Sequence, residues 1–433
     1  MLDIQFIRDN PAEVEKNAAH KNVKVDIKHL LQLDSDRRQL LGEAEELRQA
    51  RNQQAGATKG QKPSEEQIKA GKVLKEKLAT VEEKLSKVEA DFVAQLKQVP
   101  NMALKTVPVG ASEDENQVVK TVGEPTKFAF EPKNHAQIAE AKGWLDKERA
   151  AKVAGSRFAY IKGDLVKLQF AIVQFVMDKL SDQAFLDEVI SEQGLNVSNK
   201  PFTPVLPPYM IRTDLYDAMD RLEPRDDRYK IEDEDLWLQG SAEHVLGSMH
   251  ANEVLDEADM PLRYIGYATS FRREAGTYGK DMEGLFRMHQ FDKLEMESVT
   301  VAEAGPDEHL FMIAIQEKLM QLLNIPYQLI AKCTADIGKP NASGVDIDAW
   351  MPGQQNYRET HTADYMTDYQ ARRLQTRVRR ATGGKVELVH TNDATALPLS
   401  RGPIAIIENN QTKDGSVTIP SVLQPYLGGK QSI

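Results

Sequence analysis

The sequence predicts an α+β protein that begins with a long antiparallel helical hairpin. Three observations carry that prediction. Two apolar series at heptad spacing lie near the N-terminus, a turn-forming segment separates them, and the rest alternates helical patterns with short extended runs bounded by turn residues. At 433 residues the chain is long enough for two to three domains of about 150 residues.

The hairpin comes first. Leu33, Leu40 and Leu47 recur every seven residues, interleaved with Leu30, Arg37 and Ala44, and a second series runs Leu74, Leu78, Val81, Leu85, Val88, Phe92. Between them lies AGATKGQKPSEEQ, where Gly56, Gly60 and Pro63 break helix and Ser64 can cap the return. Residues 51–88 hold nine Lys/Arg against five Asp/Glu, whereas the whole chain carries −11. That global charge argues against indiscriminate nucleic-acid coating, so any RNA-binding surface has to be segregated. Taken alone such a charged stripe reads as an ordinary solvated coiled-coil face, yet an arm tipped with Lys59 and Lys62 on an acidic body is the segregated basic surface that the net charge demands.

PNMALKTVPVG ends the arm, and the Gly/Pro/Asn/Asp-rich stretch to about residue 133 reads as a linker. Beyond it, the helical pattern LVKLQFAIVQFVMDKLSDQAFLDEVI is followed by the extended runs FTPVLPPYM, RYIGYATSF, LFRMHQFDKLEME, YQLIAK, VDIDAWM and KVELVH, which suggests a largely antiparallel sheet flanked by helices. The only cysteine, Cys333, can form neither an internal disulfide nor a multi-thiolate zinc site. MLDIQFIRDN has no apolar signal core, and stretches such as FAIVQFVM fall far short of the ~20 residues that span a bilayer. A cytoplasmic protein without membrane attachment is the expectation.

The chemistry concentrates in residues 270–297, two alternating runs joined by EAGTYGKDMEG. Period-two alternation puts Arg272 and Glu274 on one face of the first strand, and Arg287, His289, Phe291, Lys293 and Glu295 on one face of the second. Such a row of charges around one aromatic suits the floor of a site for a flat, charged ligand, with arginines for phosphate or carboxylate and the ring for a base. An exposed sheet face laced with cross-strand ion pairs fits the pattern equally well.

FRREAG, a loop and then RMHQF resemble motif 2 of the class II aminoacyl-tRNA synthetases, and VLPPYM resembles their dimer-forming motif 1. THTADYMTDYQARR and TNDATALPLSRGPIAIIENNQ, which ends in motif 3, are similar to the last third of seryl-tRNA synthetases. LDIQFIRDNP, the hairpin and IPSVLQPYLGG extend the likeness over nearly the whole chain, and the order and spacing of the motifs make it specific. The resemblance implies residues 1–105 as a tRNA-binding coiled-coil arm and 106–433 as a class II catalytic domain. It also implies ATP, L-serine and tRNA(Ser) as substrates, Mg²⁺ as cofactor, a homodimer, and tRNA(Sec) as a further candidate substrate.

Carried over residue by residue, the likeness gives catalytic roles to Arg272, Glu359 and Arg401. Arg272 would hold the ATP α-phosphate and the serine carboxylate. Arg273 and Glu274 would lie along ATP, with Glu274 at its adenine end, Phe291 beneath the adenine, Arg401 above it and Arg287 at the terminal phosphates. Glu359, Thr360, His361 and Thr362 form the next ATP-binding stretch, with Glu359 and Thr362 as the Mg²⁺ pair, whose oxygen donors suit that ion. Ser241, Ala242, Glu243, Glu295 and Thr395 would bind serine.

There are departures from the family pattern. Asp393, Ala394, Thr395 and Ala396 stand where motif 3 usually reads Asn-Gly-Ser-Gly, and LYDAMDRLEPRDDRY replaces a Gly-Thr-Gly-Gln stretch. His361 takes the place of a small hydroxylic residue, and on its own it reads as a histidine satisfied by a carboxylate. Cys333, His361 and His390 share no ligand spacing, which argues against the zinc-dependent variant of the family. Two rivals remain at this level: a ligase that loads a carrier protein, which would lack the arm, and a catalytically dead scaffold, which would not need these residues together.

Overall fold

The computed structural model describes residues 1–57, 64–274 and 284–433, and the chain divides into two units, Met1–Met102 and Ala103–Ile433. The first unit opens with two short helices, α1 (Ile4–Asp9) and α2 (Pro11–His20), followed by the long pair α3 (Ile27–Ala57) and α4 (Glu65–Leu96). The heptad residues make the seam: Ala44, Leu78 and Val81 are buried together, with Leu40 and Leu47 packed against them. At about 1.5–3 kcal/mol for each large apolar side chain buried, this narrow stripe is what holds the pair, because exposed ion pairs such as Arg48–Glu82 at 2.8 Å contribute ~1 kcal/mol at most. Arg48 facing Glu82, and the Arg37 guanidinium 4.5 Å from the Phe92 ring centre, fix the antiparallel register.

Ser64 caps α4 as its position predicts. Its hydroxyl accepts the Gln67 N–H at 3.2 Å, and the Gln67 side chain accepts the Ser64 N–H at 2.8 Å. The break expected at Gly56 does not occur, since α3 runs on to Ala57. A glycine in the last turn disturbs little, because most carbonyls there already lack a helical partner. Gly60, Pro63, Lys59 and Lys62 lie outside the described residues.

The second unit is built on an eight-stranded sheet whose strands, in chain order, are β1 (Gln117–Val122), β2 (Thr203–Val205), β3 (Leu262–Phe271), β4 (Gln290–Thr300), β5 (Tyr327–Ala331), β6 (Ser343–Met351), β7 (Asn356–Thr367) and β8 (His390–Pro398). Their spatial order is β1-β5-β6-β7-β8-β4-β3-β2, and every neighbouring pair is antiparallel except β2 beside β3. Two expectations are corrected here. The supposed linker contains the edge strand β1, whose Val118 and Val119 are exposed and so leave no burial pattern to read. FTPVLPPYM is not one strand: β2 stops before Pro207 and Pro208, and a separate strand starts at Met210, because prolines bring no N–H to a ladder.

Helices α5 (Asp164–Ser181), α6 (Gln183–Gln193), α7 (Gly305–Leu322) and α8 (Arg401–Asn409) flank the sheet. The single helical pattern seen in sequence splits at Asp182, whose carboxylate caps α6 by accepting the Ala184 N–H at 3.0 Å. Phe311, Met312, Ile315 and Leu319 of α7 enter one core with Met296, Ile347, Ala363 and Ala394 of the sheet. The same helix sets up the site. The β7–β8 ladder runs from Thr367↔Thr391 to Ala363↔Ala394 and then ends; just beyond it the Gln316 amide donates to the carbonyls of Thr362 and Thr395, at 2.8 Å each. The strands part there with their buried carbonyls satisfied.

Candidate active site

A cleft of about 440 Å³ opens over the parted strands. Its β6–β7 wall depends on a bulge: Ile347 pairs with His361 and Asp348 with Glu359, which leaves Thr360 as the extra residue. Glu359, Thr360 and Thr362 therefore all line the cleft. His361 does not; it is 1% exposed, with Nδ1 2.8 Å from the Thr360 hydroxyl, which itself donates to the Ile347 carbonyl at 3.0 Å. The carboxylate partner expected for this histidine is thus replaced by a hydroxyl. Burial pushes the ring down to about 3, so it is neutral at physiological pH.

Arg272, Glu274, Arg287 and Phe291 also line the cleft. They are not all strand residues, since β3 ends at Phe271 and β4 begins at Gln290. Arg272 Nε donates to the Gly240 carbonyl at 2.9 Å, and its guanidinium carbon lies 5.3 Å from the Phe291 ring centre. Arg287 donates to Glu274 at 2.9 Å. The two-residue period fails for His289, whose Nδ1 lies 2.9 Å from the Arg272 carbonyl and which is not among the lining residues, because the stretch before β4 is irregular. Arg273 is likewise absent from the lining, and its N–H donates to the Asp227 carbonyl at 3.0 Å. Residues 275–283, most of the connecting loop, lie outside the described residues.

At the other end, Glu243, Lys293 and Thr395 face the cleft, while Ser241, Ala242 and Glu295 are buried at 0%, 0% and 2% exposure. Thr395 and Glu295 are cross-strand partners. Glu295 Oε1 accepts from the Thr395 hydroxyl at 3.3 Å and from the Ser241 hydroxyl at 3.2 Å, with the Lys293 ammonium against the same oxygen. Burial pushes the Glu295 carboxyl up, against the pull of Lys293. The result is a dense polar pocket floor of one carboxylate, two hydroxyls and one ammonium.

Several lining residues were not picked out by sequence reasoning: Phe286, Lys332, Asp346, Asp348 and Asp364. The signal available was VDIDAWM, two acids at period two in an otherwise apolar strand. Asp348 stands opposite Glu359, and Lys332 Nζ lies 3.3 Å from Asp364 and 3.5 Å from Asp346. Burial pushes Asp346 up to about 7 against the pull of Lys332, and burial with the Glu359 charge pushes Asp348 up to about 6. Arg401 packs its guanidinium 4.8 Å from the Phe286 ring centre and pairs with Glu359 at 3.1 Å. Phe286 therefore sits under Arg401, and Phe291 under Arg272.

The arrangement brings guanidinium groups for phosphate and carboxylate together with aromatic faces and a wall of carboxylates. Glu359 and Thr362 present hard oxygen donors, and the Thr362 hydroxyl is shared with Asp346 and with Lys332 Nζ at 3.2 Å. Among the described residues no group of three or more His, Cys, Asp or Glu is arranged to cage an ion. Such a donor set fits Mg²⁺, which takes one or two protein carboxylates and fills its remaining positions with water and phosphate oxygens.

This geometry has relatives among known proteins. Residues 229–410 match the tRNA synthetase class II core domain (G, H, P, S and T), and residues 1–103 match the seryl-tRNA synthetase N-terminal domain. The fold and cleft are therefore those of a class II aminoacyl-tRNA synthetase. Serine–tRNA ligase of Dictyoglomus turgidum is 39% identical, over 99% of this chain and 98% of its own length. The crystal structure of seryl-tRNA synthetase from Pyrococcus horikoshii complexed with ATP superposes with a TM-score of 0.88 at 36% identity, covering 100% of this chain and 99% of that one. Cytoplasmic serine-tRNA ligase from Naegleria fowleri in complex with AMP gives 0.83 at 28% identity, covering 100% and 98%. The chain belongs to the serine–tRNA ligase family.

Proposed function

We propose that the cleft forms seryl-adenylate from serine and ATP, as the first half of the ATP-dependent ligation of serine to tRNA(Ser) that family membership assigns to this enzyme. The observation that carries the reading is the convergence, over one break in the sheet, of Arg272, Arg287 and Arg401 at the cationic end with Glu243, Glu295 and Thr395 at the serine end. The Pyrococcus relative's complex with ATP supports a nucleotide in this place.

In the proposed reaction the serine carboxylate attacks the α-phosphorus of ATP and pyrophosphate leaves. A ribose hydroxyl at the tRNA 3′ end then takes the acyl group and AMP leaves. No side-chain nucleophile is needed. Arg272 brings carboxylate and α-phosphate together and neutralises charge that grows as the bond forms, and Arg287 exchanges its Glu274 partner for the terminal phosphates. Phe291 and Arg401 flank the base. Glu243 takes the serine ammonium, and Glu295 with Thr395 takes its hydroxyl. Mg²⁺, when bound by Glu359 and Thr362, would offset the negative charge of the phosphates.

The arm is assigned to the tRNA, through phosphate contacts and shape, on its local basic excess. Leu206, Tyr209 and Met210 are exposed at 75%, 42% and 44% around the motif 1 prolines, which supports a homodimer formed there. Among the described residues no helix is long and apolar enough to cross a membrane. ATP/pyrophosphate exchange that requires serine, and is not supported by alanine or threonine, is the expected result. Exchange with no amino acid preference would remove the reading.

A further inference from the structure

Away from the reacting groups, one buried histidine ties three elements of the cleft together. His135 is 4% exposed and follows Asn134, the cap residue of the helix His135–Ala141. Its backbone N–H and its Nδ1 both meet Glu408 Oε1 at 2.9 Å, and Glu408, fully buried on α8, takes the Gly353 N–H on its other oxygen at 2.9 Å. Gly353 lies in the turn between β6 and β7, the strands that carry Asp346, Asp348 and Glu359. The other ring nitrogen, Nε2, accepts the Leu285 N–H at 3.3 Å.

These contacts fix the tautomer. Glu408 has only acceptor oxygens to offer as a carboxylate, so Nδ1 carries the proton, and a backbone N–H can bond Nε2 only if that atom is bare. The neutral ring is therefore a relay of fixed polarity, from Leu285 through His135 to Glu408. Its footing is close. At Gly284, where φ is +61°, an added Cβ would collide with His135 Nε2, so the return segment lies directly on the ring edge.

We propose that His135 is a positioning residue for ATP: by accepting the Leu285 N–H it sets the backbone that presents Phe286, Arg287 and Met288 to the cleft. It touches no substrate and acts through those residues. Phe286 supports Arg401, and Arg287 pairs with Glu274, so a shift of this backbone displaces both nucleotide-facing arginines and leaves Glu243, Glu295 and Thr395 in place. This rests on the reading of the cleft as an ATP site, which saturation of exchange by ATP in the parent enzyme checks independently.

Two replacements separate the two ends of the ring. Gln can present its carbonyl near the Nε2 position and keep the Leu285 bond, whereas Asn can reach Glu408 from the Nδ1 position and leave Leu285 without an acceptor. An unsatisfied buried N–H is costly enough to move the backbone that carries it, so His135→Asn should raise KM for ATP in pyrophosphate exchange by about fivefold or more, with KM for serine within about twofold. His135→Gln should hold KM for ATP within about twofold even if its melting temperature falls as far as that of the Asn variant. Gly284→Ala pushes on the same contact from the other partner and should give the ATP-selective pattern, which keeps the test alive if His135→Asn fails to fold. The proposal is overturned if the folded variants raise both KM values together, if Asn and Gln behave alike, or if neither Asn nor Ala moves KM for ATP.

Discussion

The arm and the catalytic unit use charge in opposite ways. Apart from Asp34, buried against Arg8 and Arg37, most charged groups in α3 and α4 stand in water around a thin apolar seam, and their pairs, such as Lys87–Glu83 at 2.8 Å with both side chains more than 70% exposed, hold little energy. In the cleft the charged groups are fenced by strands and by one another, so a single substitution leaves a partner stranded at a cost of several kcal/mol. Glu295 has three polar neighbours and Lys332 has two carboxylates. The arm can therefore tolerate change at most positions and lose only additive amounts, whereas the cleft answers as a unit.

The largest expected effect lies in the cleft. Arg272→Ala removes the cation shared by both reactants and should lower serine-dependent pyrophosphate exchange by roughly 10²–10³-fold, read as kcat/KM. A loss under tenfold would mean that the charge of another residue does this work.

Glu295→Ala comes next. It strands the Ser241 and Thr395 hydroxyls and removes the acceptor for the serine hydroxyl. A site that hydrogen-bonds a hydroxyl rejects the analogue without it by roughly 10⁴-fold, so the serine-to-alanine ratio should collapse with the carboxylate. Thr395→Ser keeps the hydroxyl and should change that ratio little, with exclusion of threonine relaxed modestly. An unchanged serine-to-alanine ratio in Glu295→Ala would show that another group reads the hydroxyl.

The smallest effect belongs to the arm. Ser64→Ala removes the α4 cap and should cost about 1 kcal/mol of arm stability in denaturant melts, with exchange kinetics untouched. A change in exchange would mean that the two units are coupled, against their separate roles.

The two regions also differ in how plainly their sequences speak. The seam Ala44, Leu78, Val81 and the Ser64 cap are local, and heptad spacing and capping chemistry read them directly. Arg272, Glu274, Arg287, Phe291, Glu359, Thr362, Thr395 and Arg401 do come together in the cleft, as the family resemblance implied. What period-two reading missed depended on long-range events. The bulge at Thr360 turns His361 inward, the irregular backbone before β4 takes His289 off the expected face, and β1 hides in a stretch with no buried face to show. Asp346 and Asp348 sit in an ordinary-looking strand until pairing sets Asp348 against Glu359. Alternation assigns faces only where the ladder is regular, and active sites are where it is not.

The measurement that tests the division of labour most directly is a paired assay on an enzyme whose residues 30–95 are replaced by a short linker. Serine-dependent pyrophosphate exchange reports the cleft alone, and charging of tRNA(Ser) reports both units. Every lining residue of the cleft lies beyond the arm, while the basic excess lies within it, so exchange should stay within a few-fold of the parent and charging should be lost. The parent's tRNA affinity should also fall steeply with salt, as counterion release requires. Charging at the parent's rate by the truncated enzyme would contradict the account, because the arm would then be a structural appendage and the catalytic unit would read the tRNA by itself.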